Sequence, residues 1–214
     1  MQQEDIKHIE ALHDIRNMMR KSSRFLSLSG LSGIFAGVYA ILGYFAALWY
    51  IKNNLNGTSE TVYQRNADSS LEIFGFFIFD AFLVLSLSLL TAFYFSSRKA
   101  KKNNVKLFDH TAWRLFWQML VPLTTGGILC FAFLLNMHLS FIAPTMLCFY
   151  GAALFSASKL TYDDVKYLGL AQIILGIISA FDLGNGLLYW ALGFGVLHII
   201  YGAIMWWKYE RNTE

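Results

Sequence analysis

The sequence predicts an all-α polytopic membrane bundle of six transmembrane helices, and three observations carry that reading. Of the 214 residues, 56% are hydrophobic and only 14% are charged, against about 25% charged in soluble domains. The chain divides into apolar runs long enough to cross a bilayer core, which takes about 20 residues. The Lys and Arg residues then fall almost wholly on one side of the alternation.

Residues 1–24 read as an amphipathic helix. Ile6, Ile9, Leu12, Ile15 and Met18-Met19 recur at helical spacing, with Glu4, Asp5, Lys7, Glu10, Asp14, Arg16 and Arg20 on the remaining face. The acids precede the bases, as the helix dipole favours. Such a helix can lie on the membrane surface, dock on a protein partner through residues 1–20, or cap its own bundle. It is too polar to supply the apolar region of a signal peptide, so the first span is expected to act as the insertion signal.

The first span, 25–51, carries Ser29, Gly33 and Gly37 at four-residue intervals. Small residues at that spacing let another helix approach closely, here within the same chain. After the polar loop 52–70, the second span runs over 71–97 with Asp80 inside it. Asp80 falls near the hydrocarbon centre at a rise of about 1.5 Å per residue. A charge there costs roughly 2.5–3.5 kcal/mol on insertion scales, so Asp80 is expected to face protein or water. The basic cluster Arg98, Lys99, Lys101, Lys102 and Lys106 follows in a loop. It either sets orientation or binds anionic lipid head groups.

The third span, 112–136, is interrupted by Pro122 and Gly126-Gly127, where a kink is expected. A tight hairpin at Met137-His138 leads to the fourth span, 139–158. The fifth is short if it begins at Leu168. Thr161 as a cap, with Asp164 reaching back as in a capping box, extends it to 162–182. The turn Gly184-Asn185-Gly186 opens the sixth span, 187–207, and a polar tail, 208–214, closes the chain.

Alternation places both termini and the loops near 98–110 and 159–161 on one side. That side holds 15 of the 17 Lys and Arg residues, leaving only Lys52 and Arg65 opposite. The positive-inside rule makes the rich side cytoplasmic, an N-in/C-in topology. The tryptophans fall at span ends: Trp49 and Trp190 outside, Trp113, Trp117, Trp206 and Trp207 inside. The pattern Gly30-Leu31-x-x-Ile34-x-x-Gly37 recurs as Gly169-Leu170-x-x-Ile173-x-x-Gly176 and, more loosely, as Gly195-Val196-x-x-Ile199-x-x-Gly202. Shared packing grammar accounts for this as well as a duplicated half does.

The segments Leu28–Gly43, Thr161–Gly176 and Leu192–Glu210 resemble a family of small six-span inner-membrane proteins of Bacteroidota-type bacteria. The resemblance implies a location, the bacterial inner membrane, and no particular chemistry.

Few residues are candidates for function. His198 lies near the depth of Asp80, and Gly195 and Gly202 flank it on one helical face. A glycine face is a packing face, so His198 is expected to point into the bundle and meet Asp80. Such a pair could relay protons or bind a cation, or serve as a structural hydrogen bond. Gln172 and Gln118 are expected to hydrogen-bond between helices, and Arg114 to snorkel to the interface. Cys130 and Cys148 behave as small hydrophobes. All ten lysines lie outside the spans or at their ends, which excludes a retinal Schiff base. No GxSxG, HExxH, P-loop or CxxC motif is present, and no domain suits nucleic acid. No metal or cofactor is expected. Two readings stay open. One is a non-enzymatic membrane component presenting its N-terminal helix and basic loop to a partner or lipid. The other is a small proton- or cation-coupled transporter or channel using Asp80 and His198.

Overall fold

A computed structural model describes residues 29–55, 70–102 and 110–211. The expected amphipathic helix 1–24, Lys106 and most of the 52–70 loop lie outside the described residues. Those described are helical, with no strand among them. Five helices are long and apolar enough to cross a membrane, and the chain is a multi-pass membrane protein. Helix α1 is Gly30–Leu55, α2 is Ser70–Lys102 and α3 is His110–Leu135. A 3₁₀ turn, Leu139–Phe141, leads into α4, Ile142–Ala157, and α5 is Val165–Phe181. The last rod, Leu183–Tyr209, is here called α6. It contains a wide π turn, Ala191–Leu197, before its final α-helical segment, His198–Tyr209.

Two expectations about boundaries are corrected. Arg98, Lys99, Lys101 and Lys102 are not in a loop, because α2 continues through them. Their charges at the last turn suit the negative end of the helix dipole. The fifth helix does not start at Tyr162: it starts at Val165, and no side chain caps it. At 17 residues it spans about 25 Å at a rise of about 1.5 Å per residue, less than the ~30 Å of a hydrocarbon core. The capping box fails because Asp164 has better partners. Its carboxylate accepts hydrogen bonds from Lys208 Nζ at 2.9 Å and Tyr209 Oη at 2.6 Å, both at the end of α6.

The helices pack as an antiparallel row. Helix α1 lies between α2 and α6, α6 also meets α4 and α5, and α3 packs on α4. The α1–α6 seam is made of small residues. A Cβ on Gly202 would come within 2.6 Å of both the Gly30 carbonyl oxygen and the Ile34 backbone nitrogen, so nothing larger than hydrogen fits. Gly33 and Gly37 meet the same helix at Gly202 and Gly195. Close backbone approach of this kind substitutes in lipid for the missing hydrophobic drive. On α5, the buried residues Val165, Gly169, Gln172, Gly176 and Ser179 form one stripe at alternating spacings of four and three, facing α4 and α6. The α3–α4 hairpin turns at Met137, whose φ is 59°.

The flanks of the row are bare. Only 6% of the apolar stretch of α2, and of α3, is covered by the rest of the protein, against 28% for α1, α4 and α6. Phe79, Phe82, Leu89 and Leu90 of α2 are exposed, as are Val121, Ile128 and Phe131 of α3.

Candidate functional site

Two polar clusters join helices distant in sequence, one in mid-bundle and one at the basic end. The first is built on the π turn. A widened turn loosens the backbone ladder and opens a carbonyl to side-chain donors. Here the Gly193 carbonyl accepts from Gln172 Nε2 at 2.8 Å and from His198 Nδ1 at 3.0 Å. A carbonyl only accepts, so His198 carries its proton on Nδ1. His198 Nε2 then accepts the Tyr150 hydroxyl at 2.9 Å. Three helices thus meet at one hydrogen-bonded junction: α4 through Tyr150, α5 through Gln172 and α6 through Gly193 and His198. Phe194 stacks on the imidazole, its ring 6.0 Å from that of His198 and 5.0 Å from that of Tyr150. His198 is 8% exposed and Gln172 is fully buried.

His198 therefore points inward, but the expected pairing with Asp80 is not formed. Both imidazole nitrogens are committed to other groups. Asp80 lies in a different seam, between α1 and α2, where its carboxylate sits over Gly43: a Cβ there would be 3.0 Å from Asp80 Oδ2. The expected match in depth fails as well: along α1, His198 packs beside Gly33 and Asp80 beside Gly43, about two to three turns further on, and α1 stands between them. Asp80 is half-buried and has no hydrogen bond or ion pair among the described residues.

The second cluster ties the basic end together. Glu210, beyond the last helical turn, reaches α1 and α2 at once. Its carboxylate accepts from the Gly30 backbone N–H at 2.9 Å, from Ser29 Oγ at 3.2 Å and from Lys99 Nζ at 2.9 Å. It thereby caps α1 with a negative charge at the positive end of that helix. Lys99 also reaches the Tyr162 hydroxyl at 3.3 Å. The Lys99 and Glu210 side chains are each 16% exposed, a largely enclosed pair. Beside them stands the Asp164–Lys208–Tyr209 group. Burial alone would raise the Asp164 carboxyl. The hydrogen bonds from Tyr209 and Lys208, with the Lys208 charge, outweigh it and hold that carboxyl below its ordinary value.

Gln118 does not act as glue: among the described residues its side-chain oxygen is screened and has no partner. It lines a cleft between α3 and α4 together with Arg114. Oxygens of Gln172 and Ser179 are likewise buried without partners. Cys148 Sγ lies 3.9 Å from the Ile173 carbonyl and Cys130 Sγ 3.8 Å from that of Ile142, both thiols free. No group of three or more metal-ligating side chains occurs among the described residues.

Sequence reasoning missed Tyr150, Gly193 and Glu210. Tyr150 looks like one more interfacial aromatic, and a carbonyl has no signature of its own. Glu210 sits in a polar tail that reads as solvated. Its one signal was position, at the same end of the bundle as Gly30 and Lys99. No protein-family model, curated protein or solved structure matches the chain.

Proposed function

We propose that this chain is a non-enzymatic component of the bacterial inner membrane that docks the transmembrane helix of a partner along the α1–α2 seam at Asp80. In this reading six helices span the membrane, with both termini cytoplasmic. The observation that carries the proposal is Asp80 itself, an acid within an apolar helix, half-buried and without a polar partner among the described residues. An ionisable group at that depth is costly unless it is paired. The flank beside it is uncovered, and charge complementarity calls for a partner helix bearing Lys or Arg at matching depth. Exposed Arg98 and Lys101, one end of α2, and the amphipathic stretch 1–20 would extend the contact on the cytoplasmic side. Lys99 is excluded from it by its bond to Glu210. The transporter reading loses its joint Asp80–His198 site, since the two side chains lie in separate seams.

A photo-crosslinking residue placed at Phe79 or Phe82 in the full-length protein, activated in native membranes, tests this. The expected product is an adduct with one other membrane protein, lost on Asp80→Leu and retained on Asp80→Glu. Adducts with lipid only, or protein adducts indifferent to Asp80→Leu, would overturn it.

A further inference from the structure

A separate cleft lies beside the first turns of α3 and the last turn of α4 at the basic end, on the opposite flank from Asp80. It is an open groove of about 510 Å³, lined by Trp113, Arg114, Trp117, Gln118, Pro122 and Ser156, among others. Its polar content is what sets it apart. Arg114 has no acidic partner, and Gln118 and Ser156 make no side-chain hydrogen bond, among the described residues. A helical serine ordinarily bonds back to a carbonyl one turn earlier, as Ser158 does to Phe155 and Ser88 to Val84. Pro122 adds a fourth open group. Lacking an N–H, it leaves the Gln118 backbone carbonyl without its usual helical donor. One cation, one carboxamide, one hydroxyl and one open carbonyl thus line the same space, with two indole rings beside them.

We propose that this cleft holds the head group of an anionic glycerophospholipid. Arg114 takes the phosphodiester, since a guanidinium matches phosphate oxygens two at a time. The Gln118 backbone carbonyl, left without its helical donor by Pro122, accepts from a head-group hydroxyl, which a phosphatidylglycerol supplies and a phosphatidylcholine does not. Ser156 donates to a remaining phosphate or ester oxygen. Trp113 and Trp117 border the glycerol level, where indole rings favour the interface. The uncovered apolar face of α3 continues from the cleft through Val121 and Ile128 and would carry the acyl chains.

The test uses the full-length protein in detergent and native mass spectrometry, titrating phosphatidylglycerol, phosphatidylcholine and inorganic phosphate separately. The expected result is a one-to-one phosphatidylglycerol adduct, several-fold tighter than phosphatidylcholine, that inorganic phosphate does not displace at equal concentration. Arg114→Gln should weaken it about tenfold, the range of a lost charge-assisted hydrogen bond. Arg114→Lys should fall between, and Arg211→Gln, an exposed cation elsewhere at the same end, should leave it unchanged. Arg114 is exposed, so the variants should fold, and an unchanged melting temperature verifies it. Equal binding of phosphatidylcholine, displacement by free phosphate, or indifference to Arg114→Gln would each overturn the proposal. So would loss of stability without loss of lipid on Arg114→Gln, which would mark the cleft as filled by another part of this chain.

Discussion

Replacing Gly202 by alanine tests the small-residue seam most directly. The new methyl would lie 2.6 Å from the Gly30 carbonyl oxygen and 2.6 Å from the Ile34 backbone nitrogen. Both obstacles are backbone, so no rotamer change relieves them and α1 must move away from α6. Overpacking of this kind costs about 1–3 kcal/mol. The gain from removing a helical glycine, about 0.5–1 kcal/mol, offsets only part. The net loss is about 1 kcal/mol at mid-range, which lowers the melting temperature by roughly 2–4 °C per kcal/mol for a chain of this size. Gly127 supplies the internal comparison. It is helical and exposed, and a Cβ there meets nothing within 4 Å. Gly127→Ala keeps only the favourable part and should raise the melting temperature by about 1–4 °C. Thermal denaturation of both purified variants in one mild detergent, followed by size-exclusion, gives the two signs. A Gly202→Ala protein at least as stable as its parent would refute the claim that this seam is held by backbone contact.

Three further outcomes follow from the polar clusters. Tyr150→Phe leaves His198 Nε2 facing apolar surroundings, so stability should fall by about 1–3 kcal/mol; a variant of unchanged stability would dismiss the junction as a stabilising element. Glu210→Ala removes the α1 cap together with the carboxylate that Lys99 bonds, and should destabilise more than Lys99→Met, which leaves the cap in place, when both are melted side by side. Asp164 gives a pH dependence. Its folded-state value is depressed, so its contribution is complete above the unfolded value near about 4 and fades as pH falls through the lower folded one. The parent should therefore lose stability between about pH 4 and pH 2 faster than Asp164→Asn, and parallel profiles would contradict the assignment.

What the sequence made legible is what helical spacing encodes. Gly33, Gly37, Gly195 and Gly202 recur at intervals that put them on the facing sides of two helices. His198 was expected to share that glycine face, but its imidazole leaves it and turns to Tyr150 of α4. Counting residues along each span matched Asp80 and His198 in depth, but helix boundaries and tilt shift that count, and the two pack against α1 at Gly43 and Gly33 respectively. Depth is one coordinate, however, and the order in which helices stand beside one another is another. Periodicity within a helix carries nothing about the latter, so the interposed α1 was invisible. The Thr161–Asp164 cap was a sound local motif overruled by groups 44 and 45 residues away, Lys208 and Tyr209. The basic cluster read as a loop because charge was taken as the end of the helix. In fact α2 runs on past its apolar stretch, and Lys99 finds Glu210.

The wide turn at Ala191–Leu197 has a consequence for how this rod can change by insertion or deletion. Successive residues of an α-helix advance by roughly 100°. Holding one residue more than an α turn therefore shifts everything on one side of the bulge relative to the other by about that angle. The rod meets two sets of neighbours, each with one member within the bulge and one beyond it. Gly195 and Gly202 turn to α1, while Gly193 and His198 serve α4 and α5. Losing one codon within 191–197 would leave the rod long enough and apolar enough to insert. It would also swing its two halves out of phase, so that the imidazole and the glycine seam could no longer both be seated. The length of this segment is thus constrained by angle, where bilayer thickness would tolerate the change.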